Sequence, residues 1–113
     1  MKDNVVKDKS LEFAVRIVNL YKFLVNEQKE FVMSKQILRS GTSIGANIRE
    51  AEQAQSRADF INKLNIALKE ANETEYWLEL LIRTEYITRE QYESINNDST
   101  EINKLLILSL IHI

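Results

Sequence analysis

The sequence predicts an all-α protein, an antiparallel up-down-up-down four-helix bundle, and three observations carry that expectation. Proline is absent and only two glycines occur in 113 residues, so little in the chain can punctuate strands or long loops. Apolar residues recur at alternating spacings of four and three in successive segments, the period of a single helix face. The periodic segments run to roughly twenty residues and are joined by short polar connections, which obliges sequential helices to lie as antiparallel neighbours. A chain of this length holds one core, so residues 1–113 form one domain.

The first nine residues are charged and polar and are expected to fray, with Ser10 as N-cap of a helix to about residue 28. In it Phe13, Ile17, Leu20 and Leu24 form one stripe, and Ala14, Val18, Tyr21 and Val25 repeat it one residue later. A face that wide predicts more than one neighbour. Ser34 is the expected cap of a second helix over 34–54, whose stripe is Ile37, Gly41, Ile44, Ile48 and Ala51, with Gly45 on its flank. Two glycines inside a helix cost about 1 kcal/mol each relative to alanine. Close approach of another backbone at Gly41 and Gly45 would offset that cost.

Ser56, with Asp59 three residues on, opens a third helix over 56–84. Phe60, Leu64, Ala67, Ala71, Thr74, Leu78 and Leu81 hold the seam of a left-handed bundle, widened by Ile61, Leu68 and Ile82. Thr88 with Gln91 matches a capping box for the fourth helix, 88–111, carrying Tyr92, Ile95, Ser99, Ile102, Leu106, Ser109 and Ile113. Its centre, NNDST at 96–100, is poor helix material, yet the stripe keeps phase on either side, so one helix is expected. Residues 105–113 are apolar nearly all round and must be covered on several sides.

Composition removes several kinds of chemistry. Without cysteine there is no disulfide framework, thiolate metal site or cysteine nucleophile. The start of the chain lacks an apolar signal core, and the run at 105–113 is too short to span a bilayer, so a cytoplasmic protein without a membrane partner is expected. His112 is the sole histidine, which leaves no base for a Ser-His-Asp relay and no Glu-x-x-His iron motif. Neither catalysis nor a cofactor nor a metal is expected. Glu50 and Glu73 fall on facing helices, but two carboxylates are fewer ligands than an oxygen-only cation site needs, and pairing with Asn47, Arg or Lys is the simpler expectation. Ser43 is expected to bond the carbonyl one turn back. Tyr76 and Trp77 beside Leu78 place one ring toward the core and one toward an interface.

Net charge is −2, divided as nine basic less seven acidic over residues 1–55 (+2) and six basic less ten acidic over 56–113 (−4), so only a local patch can attract phosphate. Lys35, Arg39 and Arg49 fall within an arc of roughly 80° on the outer side of the second helix and form the one candidate nucleic-acid face.

The segment 36–50, QILRSGTSIGANIRE, resembles the four-helix-bundle family named for proteins encoded in intervening sequences of 23S ribosomal RNA genes. The resemblance rests on Gln36, Leu38 and Arg39, on the pairs Ser43–Ile44 and Asn47–Ile48, on Glu50, and on Glu73 and Leu78 in the third helix. Where that family usually has proline after Ser-Ile this chain has Gly45, and where it has glycine after the glutamate this chain has Ala51, departures that point to a subgroup. The resemblance implies a homopentamer without known catalytic activity. A related accessory protein of diversity-generating retroelements binds nucleic acid through a basic surface, a charge this chain lacks.

Overall fold

The computed structural model describes residues 5–112. Four helices occupy them, α1 (Val5–Asn26), α2 (Met33–Glu52), α3 (Arg57–Arg83) and α4 (Arg89–Ile111), and there is no strand among the described residues. The body measures 44 × 21 × 19 Å. Each helix touches its two neighbours in the cycle α1, α2, α3, α4, with α2 against α3 the most extensive contact and α1 against α4 the least.

Cross-helix pairs record how neighbours run. Along α1, Lys7 meets Glu52, Ser10 lies under Gly45 and Ile17 under Gly41, so numbers that rise in α1 fall in α2. Arg39 meets Glu73 while Glu50 meets Lys63, the same opposition between α2 and α3. Lys9 meets Glu101 and Arg16 meets Asp98 across α1 and α4.

The buried seam contains Phe13, Ile17, Leu20 and Leu24; Ile37, Ile44, Ile48 and Ala51; Leu64, Ala67, Ala71, Leu78 and Leu81; Ile95, Ile102 and Leu106, whereas the second α1 stripe, Ala14, Val18, Tyr21 and Val25, and the α3 edge of Ile61, Leu68 and Ile82 are only half-buried. Tyr92, Ser109 and Phe60 are half-buried, and Ile113 lies outside the described residues.

Two starts differ from the sequence expectation. Helix α1 begins at Val5, so Ser10 is no cap: it is buried at 1 % exposure, and its hydroxyl donates to the Lys7 carbonyl at 2.9 Å. Val6, one turn earlier, is buried on the same stripe, and that burial extends the helix upstream. Of the stretch expected to fray, residues 5–9 are helical and 1–4 lie outside the described residues.

Ser34 is likewise interior to α2, whose N-cap is Val32 without a side-chain cap bond. The cap comes from upstream. Glu30 is buried, and its carboxylate accepts from the N–H groups of Val32, Met33 and Ser34 at 3.1, 3.0 and 2.7 Å, three of the four donors a helix start leaves open. Ser56 caps α3 by accepting from Asp59 N–H at 3.1 Å, and Thr88 and Gln91 complete a reciprocal capping box on α4. Helix α4 is continuous through 96–100 because Ser99 turns inward and gives its hydroxyl to Glu75 at 3.2 Å, while Thr100 bonds the Asn96 carbonyl.

Candidate functional site

The polar residues singled out on α2 gather along its contact with α3. Arg39 reaches across to two carboxylates one turn apart: its guanidinium donates to Glu70 at 3.1 Å and to Glu73 at 2.5 Å. The same Glu73 oxygen accepts the indole N–H of Trp77 at 3.0 Å. Trp77 therefore stands half-buried against the core, with Tyr76, 60 % exposed, packed edge-on against it at 5.0 Å between ring centroids. Beneath this surface network, the hydroxyls of Ser40 and Thr74 meet at 2.9 Å, both fully buried.

These contacts set the electrostatics. The Trp77 indole, and after it Arg39, hold the Glu73 carboxyl below its ordinary 4.5. Hydrogen bonds to Glu73 and then Glu70 hold the Arg39 guanidinium above its ordinary value. One cation facing two carboxylates leaves the spot with a net negative charge, so Arg39 is committed to α3.

Other members of the set have local partners. The Ser43 hydroxyl donates to the Arg39 carbonyl at 2.6 Å, and the Asn47 amide donates to the Ser43 carbonyl at 2.8 Å. Glu50 pairs with Lys63 at 2.8 Å, which raises the lysine's affinity for its proton. Glu50 and Glu73 thus bind different cations and do not share a site. Lys35 and Arg49 are exposed and make no ion pair among the described residues, but fourteen residues of helix place them about 21 Å apart, with the neutralised Arg39 between them. Arg49 borders an open hollow of about 450 Å³ with Glu50, Gln53, Asp59 and Lys63, a mixture of signs. His112 is exposed at the end of α4.

Gly41 and Gly45 face α1. A Cβ built on Gly41 would stand 2.8 Å from both Cγ1 and Cγ2 of Ile17, and one on Gly45 would stand 3.2 Å from the Ser10 hydroxyl oxygen. Small residues at these two places let the α1 and α2 backbones come together.

Sequence reasoning missed Glu70, the Trp77–Glu73 bond and the Ser40–Thr74 pair. The signal was present in the spacing: Glu70, Glu73, Thr74 and Trp77 fall at i, i+3, i+4 and i+7, one face of α3. Nothing in α2 alone says that Arg39 meets that face.

Four helices whose polar side chains pair with one another across α2 and α3 define a helix-bundle protein. The chain belongs to the 23S rRNA-intervening sequence protein family, whose model matches residues 2–108. It is similar, at 97% identity and a TM-score of 0.95, to the crystal structure of a protein with unknown function from the S23 ribosomal protein family of Bacteroides thetaiotaomicron, over 97% of this chain and 98% of that one. No curated protein matches the chain. No helix among the described residues is long and apolar enough to cross a membrane.

Proposed function

We propose that this protein is a non-catalytic scaffold of the cytoplasm: an up-down-up-down antiparallel bundle that assembles with copies of itself, as a homopentamer, and offers the assembly to a protein partner. The observation that carries the reading is apolar surface outside the core. Leu11 and Val15 on α1 are 50% and 54% exposed, and Ile107, Leu108 and Ile111 on α4 are 45%, 49% and 67% exposed. Aliphatic side chains grouped on two helix surfaces mark association sites. The family resemblance supplies the number five, and a sequence with one histidine and no cysteine offers little to a competing catalytic reading.

Sedimentation velocity over a range of micromolar concentrations tests the proposal. Species larger than the 13.2 kDa chain are expected, and a single species of that mass at every concentration would overturn it. The nucleic-acid reading loses its centre at Arg39, whose charge is taken up by Glu70 and Glu73. No binding to structured RNA or duplex DNA at low salt is therefore expected. Tight, salt-sensitive binding abolished by Lys35→Glu with Arg39→Glu would reinstate that reading.

A further inference from the structure

The seam between α1 and α4 does not close along its whole length. Arg16, Asn19, Leu20 and Phe23 stand at i, i+3, i+4 and i+7 on α1, and Gln91 and Ile95 at i and i+4 on α4, so each helix turns one short strip toward the other. Of the four helix contacts this one is the least extensive. The six side chains line an open groove of about 280 Å³. Its floor is the core itself: Leu20 and Ile95, each 6% exposed, are the least covered of the buried apolar residues described, and Phe23 is half-buried against the same core. An apolar floor within reach of water is where an apolar group gains by entering.

The rim is rich in donors. Arg16 gives Nη1 to the Ser94 carbonyl at 3.1 Å and to Asp98 at 2.7 Å, and Nη2 to the Ser94 hydroxyl at 2.9 Å, which holds the guanidinium in place and uses three of its five N–H groups. Gln91 is held too. Its Oε1 accepts the Thr88 N–H at 2.8 Å in the α4 capping box, so the acceptor end of the amide is taken and the Nε2 end, a donor alone, is left for a ligand. Asn19 is exposed, and no hydrogen bond to another described residue occupies its amide. None of the residues lining the groove is acidic, since Asp98 stays with Arg16 outside it, and Gln91 brings the positive end of the α4 dipole to the rim. The groove thus offers apolar contact below, N–H groups above and a single cation.

We propose that this groove binds a small monocarboxylic acid with an apolar body of about one ring: the body covers Leu20, Phe23 and Ile95, and the carboxylate takes N–H groups of Gln91, Asn19 and Arg16. Charge and size select among acids. A dicarboxylate would strand its second charge over the apolar floor. A volume of about 280 Å³ stands at the small end of ligand sites and leaves no room for a body of several rings.

Phenylacetate is the probe, added to the isotope-labelled full chain and followed by amide chemical shifts. Saturable shifts are expected at Arg16, Asn19 and Phe23 on one wall and at Gln91 and Ile95 on the other, with a dissociation constant of about 0.1–1 mM, the range open to ligands of about ten heavy atoms. Acetate, which lacks the body, and benzylammonium, which reverses the charge, should each bind at least tenfold more weakly. Gln91→Glu keeps the capping box, because glutamate serves equally at that position, but sets an acid on the rim; it should leave helical circular dichroism unchanged and raise the phenylacetate constant at least tenfold. Asn19→Trp, at an exposed position, should fill the mouth and abolish binding. No saturation by roughly 20 mM phenylacetate, well beyond the expected range, would overturn the site, as would equal affinity for benzylammonium or wild-type affinity in Gln91→Glu. N-acetyl-glycyl-phenylalanine carries the same ring and carboxylate at the end of a peptide. Binding of it at least tenfold tighter than phenylacetate would overturn the free acid as the ligand and give the groove to a chain terminus.

Discussion

Gly41→Ala is the sharpest probe of how α1 and α2 fit. The added Cβ would sit 2.8 Å from Cγ1 and Cγ2 of Ile17 and 3.2 Å from its Cβ. Carbon atoms rest at about 3.5–4.0 Å, so two contacts are about 0.7 Å too short at once. Ile17 cannot swing away, because it is fully buried and β-branched. The helices must therefore part or the side chain must leave its rotamer, and overpacking of this kind costs about 1–3 kcal/mol. Alanine also returns about 1 kcal/mol of helix propensity. The net expectation is a loss of about 1–2 kcal/mol, read as a lower urea midpoint with an unchanged m-value at fixed protein concentration. The same substitution at Gly45 should fall within about 1 kcal/mol of wild type, because there the nearest atom is the Ser10 hydroxyl at 3.2 Å. Combining Gly41→Ala with Ile17→Ala removes both γ carbons, and the double variant should be more stable than the sum of the single losses by about 1 kcal/mol. If Gly41→Ala proved as stable as wild type or more so, the glycine would be an ordinary helix residue and the close-packing argument would fail.

Three further substitutions follow from other contacts. Glu73 has a folded-state pKa below its unfolded value, so its contribution is complete above about pH 4.5 and is lost as pH falls through the folded value; Glu73→Gln should flatten the acid limb of a stability–pH curve, and an identical limb in both proteins would contradict the assignment. Lys29 holds φ 54°, so Lys29→Gly should stabilise by about 1 kcal/mol in thermal unfolding, and destabilisation would show that the backbone there is not strained. Thr88→Ala removes the hydroxyl half of the α4 capping box and should cost about 1 kcal/mol, with Thr88→Ser restoring most of it.

Much of the fold was legible because the governing signal is local and repeated. The stripes of α2, α3 and α4 put the right residues inside, and Ser56 and Thr88 cap as their neighbours predict. What failed was local chemistry overruled by tertiary context. Ser10 looks like a cap because it is the first small polar residue before a stripe, but Val6 already lies in the core and Ser10 is small because Gly45 sits on it. Ser34 looks like a cap for the same reason, yet a carboxylate four residues earlier takes its place. The basic face of α2 was read from one helix alone. Its meaning changed because the register against α3 brings Glu70 and Glu73 to Arg39, and register between helices is set by the whole seam rather than by any short stretch.

Native mass spectrometry of the intact protein tests the central claim most directly, since it counts chains. The account predicts a dominant assembly of five copies, about 66 kDa as five times the 13.2 kDa chain. A dominant 13.2 kDa monomer would contradict it.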